Sequence, residues 1–118
     1  MRSSINLLVS IEGASTLQTG AQVFFAAAGL EDFEERWSDN HSGGAYYLKR
    51  TDGVTYRLMA ADNSNHPDRP FWVRIELEDD HPHEFDLDRF VRDKLLVNGF
   101  QVSNMIRYGR VGEERHDF

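Results

Sequence analysis

A chain of 118 residues with 40% apolar and 12% aromatic residues is long enough to bury one hydrophobic core, which predicts a single α+β domain over 1–112 followed by a flexible polar tail at 113–118. The absence of cysteine excludes disulfides, thiolate zinc sites and cysteine nucleophiles. The net charge of −7 opposes phosphate backbones and anionic membranes, and no apolar run near the start is long enough for a secretory signal or a membrane span, so a cytoplasmic location and no membrane association are expected.

Ile5, Leu7, Val9 and Ile11 alternate with Asn6, Leu8 and Ser10, the period of a strand with one buried face. Ser15 and Gln18 have capping-box spacing, and Leu17, Ala21, Phe24, Phe25 and Ala28 then share one side of a helix that Gly29 can end in a left-handed cap. Residues 30–37 fit a helical stripe or a strand, with strand favoured. The Asp52-Gly53 pair between the β-rich runs 45–51 and 54–61 predicts a hairpin with a two-residue type I′ loop. That loop sets Tyr47 opposite Leu58 and Ala45 opposite Ala60 on one side, with Tyr46 opposite Met59 and Leu48 opposite Arg57 on the other. Residues 62–70, rich in turn formers, read as a loop before an alternating strand over 71–77. Asp86 can cap a second helix with an apolar stripe of Leu87, Phe90, Val91 and Leu95, ended by Asn98-Gly99, and a last strand covers 101–110. The resulting expectation is two helices packed on one face of a mainly antiparallel sheet of five or six strands, a ferredoxin-like variant with an extra hairpin.

The charge is segregated. Residues 31–39 and 76–88 hold twelve of the 20 acidic residues and one of the 13 basic ones, so these two stretches carry −11 while the other 96 residues carry +4. Such fields steer cationic partners and set association rates rather than folds. The expected partner-binding residues are Glu31, Asp32, Glu34, Glu35, Trp37 and Asp39 from the first stretch and Glu76, Glu78, Asp79, Asp80 and Glu84 from the second. Trp37, Phe33 or Trp72 would anchor a partner if exposed. Within the second stretch His81-Pro82-His83 lies among carboxylates, but two histidines one residue apart on an extended chain point to opposite sides, so no metal site and no cofactor are expected. His41, His66 and His116 add no ligand spacing.

Catalysis finds little support. No Gly-x-Ser-x-Gly elbow or phosphate-cradling glycine loop is present, and the many carboxylates show no separation that would mark acid–base work. No catalytic residue is therefore expected, although a metal-dependent or motif-free enzyme stays open as a further alternative. A second surface competes with the acidic one, because Tyr46, Leu48, Arg57 and Met59 with Trp72 and Arg74 would lie on the outer sheet face like an RNA-stacking platform. The acidic balance opposes nucleic acid, and such a face would also suit a homodimer. Small acidic cysteine-free α+β domains without catalytic motifs look like bacterial immunity or inhibitor proteins, which cover the basic active site of a toxin, often a nuclease, with carboxylates. The expected function is therefore an acidic protein-binding domain with a basic partner, and a homodimeric regulatory or structural domain is the alternative.

Overall fold

The computed structural model describes residues 3–37, 45–51, 53–61, 66–78, 85–108 and 110–118. In chain order the elements are β1 (Ser3–Ile11), α1 (Leu17–Ala28), β2 (Glu34–Trp37), β3 (Ala45–Thr51), β4 (Val54–Ala60), β5 (Phe71–Leu77), α2 (Leu87–Phe90), β6 (Phe100–Ile106) and β7 (Glu114–Asp117). The α2 turn continues into a π turn at Val91–Leu95 and a 3-10 turn at Leu96–Asn98. The seven strands form one open sheet in the order β2-β3-β4-β5-β1-β6-β7, and every pairing is antiparallel.

Local chemistry explains the helix ends. The cap of α1 is Thr16 rather than Ser15, because its hydroxyl accepts from the Thr19 amide at 3.1 Å and shifts the start by one residue. At the other end Gly29 has φ +72° and donates to Ala26 while Leu30 donates to Phe25, the paired bonds of a left-handed glycine stop. Asp86 caps α2 through the Arg89 amide at 3.1 Å. Within α1, Gly20 faces Phe71 so closely that a Cβ there would lie 3.0 Å from the ring. The helix can approach β5 only because that position lacks a side chain.

The core lies between the helices and one sheet face. Leu7, Val9 and Ile11 of β1, Leu58 of β4 and Phe71, Val73 and Ile75 of β5 meet Phe24 and Phe25 of α1, with Phe90, Val91 and Leu95 of the second helical segment beside them. Phe24 and Phe25 meet edge to face at 5.0 Å, and Tyr56 stacks on Phe90 at 5.6 Å. The hairpin register is the one the sequence predicts, with Tyr47 opposite Leu58, Tyr46 opposite Met59 and Leu48 opposite Arg57. Gly53 has φ +77°, and Asp52 lies outside the described residues.

Two expectations are corrected. The sheet has seven strands rather than five or six: residues 34–37 form the favoured strand, at the sheet edge, and residues 114–117, expected within a flexible tail, form a further one. Residues 114–117 pair with Ser103–Ile106, and the Phe118 amide donates to Val102. Phe118 packs against the core, and polar pairing holds the rest of this segment. Arg115 binds Asp68 at 2.8 and 3.0 Å and Asp117 at 2.7 Å, the Ser103 hydroxyl donates to Asp117, and His66 meets Glu113 at 2.7 Å.

The Arg115 guanidinium beside Asp68 holds that carboxyl at about 2, well below its ordinary 3.8, and Arg115 followed by the Ser103 hydroxyl lowers Asp117 in the same way. A depressed carboxyl contributes stability above its unfolded value and loses it as pH falls. Hydrogen exchange on β7 should accordingly stay slow at neutral pH and rise as pH drops from 3.8 toward about 2, before the central strands respond. Arg115→Gln should show fast β7 exchange already at neutral pH, whereas unchanged protection in that variant would mean that the ion pairs do not hold the strand.

Candidate functional site

The acidic edge is built outward from the core. Phe33 stacks on Phe25 at 4.7 Å and meets Tyr47 edge to face at 5.9 Å, which anchors the entry to β2 and removes Phe33 from the candidate anchors. Asp32, at φ +58°, turns the chain between the Gly29 stop and the strand, a conformation that aspartate tolerates better than most residues. β2 then pairs with β3 from Glu34 opposite Leu48 to Trp37 opposite Ala45. It is the first strand in the sheet order, so among the described residues nothing pairs with its outer edge.

Alternation divides the strand. Glu35 and Trp37 point to the helix side, where Glu35 accepts from the Tyr47 hydroxyl at 2.8 Å and from the Trp37 indole at 3.2 Å. Burial pushes the Tyr47 phenol up, and the bond to Glu35 adds to the shift. On the opposite side Glu34 pairs with Arg36 at 2.9 Å. All four β2 residues are exposed, as are Glu31 and Asp32, and Trp37 keeps 70% of its surface in solvent. A large indole braced by a carboxylate on a free strand edge, with further carboxylates beside it, therefore projects from this side of the molecule.

Of the second acidic stretch, Glu76 and Glu78 do not join this patch. Glu76 forms an ion pair with Arg57 across β4 and β5, and Glu78 forms one with Arg50. Three strand spacings, roughly 14 Å, separate β2 from β5, with these arginines in between. Glu76 and Glu78 are thus neutralised inside the sheet face. Asp39, Asp79, Asp80 and Glu84, together with His81 and His83, lie outside the described residues. Among the described residues no group of three His, Asp or Glu side chains could hold a metal ion, and no helix is long and apolar enough to cross a membrane.

The face away from the helices carries the residues expected as a stacking platform, in a different state from the expected one. Met59 is buried, and so are Leu8 and Met105 on the same face. Trp72 lies between Met59 and Leu8, donates its indole N–H to the Asn6 carbonyl at 3.0 Å and meets Tyr108 edge to face at 5.1 Å. Arg57 and Arg74 are directly opposite one another, and the Nε of each is shielded from solvent without a hydrogen bond among the described residues. Arg107, Tyr108 and Arg110 reach the same end of this face, because the last strand, expected over 101–110, ends at Ile106 and the chain turns there.

No family model matches the chain, and neither a curated protein nor a solved structure does.

The two classes of acid should separate in stability. Glu76→Gln leaves the half-buried Arg57 without its carboxylate and should cost about 1–2 kcal/mol in urea denaturation. Glu31→Gln should stay within about 0.5 kcal/mol of the wild type. Equal effects would contradict the division between paired and free carboxylates.

Proposed function

We propose that this chain is a small acidic protein-binding domain that engages a basic protein partner along the outer edge of β2, as an immunity or inhibitor protein engages a basic toxin. The observation that carries the reading is Trp37, 70% exposed on an edge strand whose outer side has no partner among the described residues, beside the exposed carboxylates of Glu31, Asp32, Glu34 and Glu35. An exposed indole offers a large contact area at little entropic cost, and aromatic anchors of this kind carry much of the energy of protein interfaces. The free strand edge adds unpaired N–H and C=O groups to which an extended partner segment can hydrogen-bond. The carboxylates select which partner. Residues 31–37 carry four acids and one arginine, so a second copy docking by the same edge meets its own charge, while a Lys- or Arg-rich surface is steered in.

This reading narrows the acidic surface to residues 31–37, since Glu76 and Glu78 are already paired with arginines. It assigns binding rather than catalysis to the chain. The inner strands β4-β5-β1-β6 with the two helices follow a ferredoxin-like order, on which β2 and β3 form an added wing, and a partner site on that wing leaves the core untouched.

Affinity capture with the immobilised protein, eluted by rising salt, tests the proposal. The expected result is a high-pI protein that is lost from the wild type as salt increases and is not captured by a Glu31→Lys, Glu34→Lys, Trp37→Ala variant. Glu78→Gln should leave capture unchanged. Recovery of an acidic partner, or capture indifferent to both salt and the triple variant, would contradict it.

A further inference from the structure

The strongest unassigned feature is a cleft of about 570 Å³ at the end of the open sheet face where β1 and β6 diverge. Ser4 and Ile5 extend past the β6 pairing, which covers only Asn6–Ile11, and the turn after β6 folds over the gap. Arg107 there adopts φ +56° and accepts the Arg110 amide at 2.9 Å, so the backbone turns sharply and both side chains reach the cleft.

The lining combines three guanidiniums, from Arg74, Arg107 and Arg110, with the aromatic pair Trp72 and Tyr108 and the amide of Asn6, and among the described residues it contains no carboxylate. In a chain of net charge −7 such a lining runs against the average composition. Elsewhere on this face the arginines meet acids: Arg36 meets Glu34, Arg50 meets Glu78 and Arg57 meets Glu76. Arg74 differs in having no acid partner among the described residues, while its Nε, like that of Arg57, is shielded from water without a hydrogen bond among them. Arg74 lines the cleft without an acid to offset its charge among the described residues, and an anion seated there would do so. The other groups are held ready. Arg107 is braced by the Gly112 carbonyl at 2.7 Å and Glu114 at 3.0 Å, and the Trp72 indole occupies the Asn6 carbonyl, which leaves the Asn6 amide N–H₂ as a donor.

We propose that this cleft is a binding site for a small phosphorylated ligand, held by Arg74, Arg107, Arg110 and the Asn6 amide beside the Trp72 and Tyr108 rings. Guanidinium forks match phosphate oxygens in pairs; Arg107 is already paired with Glu114, so Arg74 and Arg110 supply the uncompensated charge, which suits a multiply charged phosphate better than a single carboxylate. The size of the cleft fits a ligand of roughly nucleotide dimensions. A nucleic-acid strand crossing the sheet would leave this spot and meet arginines that are already neutralised, which favours a discrete small anion over a polymer. The site is independent of the β2 edge and stands whether or not a protein partner binds there.

The chain has two tryptophans, so Trp37→Phe leaves Trp72 as the one indole reporting from the cleft. In that background pyrophosphate and AMP should each produce a saturable change in emission, with AMP exceeding inorganic phosphate if the rings take part. Arg74→Gln and Arg110→Gln should each raise Kd by about tenfold or more. Arg110 is exposed, so its variant reports even if Arg74→Gln fails to fold. Arg36→Gln, on the far edge, should leave Kd unchanged. The proposal is overturned by any of three results: no saturable change with any phosphate probe, binding unaffected by both arginine variants, or citrate bound as tightly as pyrophosphate. Single-stranded RNA bound far more tightly than AMP, with a salt dependence reporting many phosphates, would overturn it in favour of a nucleic-acid surface.

Discussion

Both helical segments pack on the same side of a seven-stranded antiparallel sheet, so half of the sheet surface must be closed by its own side chains or left in water. That constraint organises the rest of the molecule. On the covered side the answer is a conventional core of Leu, Val, Ile and Phe. On the open side Leu8, Met59 and Met105 are still buried, beneath longer neighbours such as Trp72, and each such apolar side chain contributes about 1.5–3 kcal/mol when fully removed from water. The ion pairs Arg57–Glu76 and Arg50–Glu78 cover much of what remains, and their worth lies less in stability than in keeping the face soluble and its strands in register.

The same constraint decides where unspent charge can reside. A carboxylate in the middle of the open face finds an arginine across a strand, as Glu76 and Glu78 do, and loses its reach. Among the described sheet residues, charge stays available where cross-strand neighbours run out, as at the outer edge of β2 and at the cleft where β1 and β6 separate. Five strand spacings, roughly 24 Å, lie between β2 and β6, while charges are screened over about 8 Å at physiological ionic strength. An acidic edge and a cationic cleft can therefore coexist on one sheet without cancelling, and each can attract a different partner.

Much of this was legible in the residues. The alternation in β1, the Gly29 stop, the Asp86 cap and the hairpin register all rest on short-range rules, and the pairs Tyr47–Leu58 and Leu48–Arg57 follow from loop length alone. What was not legible depends on contacts distant in sequence. The tail became β7 because Arg115 reaches Asp68, 47 residues away, a link that no local pattern announces. The cap moved from Ser15 to Thr16 because two adjacent hydroxyls offer the same chemistry and packing chooses between them. Whether the two acidic stretches meet was not legible in the sequence, and strand order puts Arg50 and Arg57 between β2 and Glu76 and Glu78. The cleft stayed hidden for a similar reason, since Arg74 and Arg110 lie 36 positions apart and meet only when β5, β1 and β6 are assembled.

On the two proposals, oppositely charged and spatially separate surfaces serve this one sheet. Amide NMR titrations of a single labelled sample, first with pyrophosphate and then with an oligolysine peptide, test it most directly. Pyrophosphate should shift amides near Trp72, Arg74 and residues 104–110, and the peptide should shift those of residues 31–37, with little overlap between the sets. A common set of amides responding to both, or oligolysine acting chiefly at Glu76 and Glu78, would contradict the account.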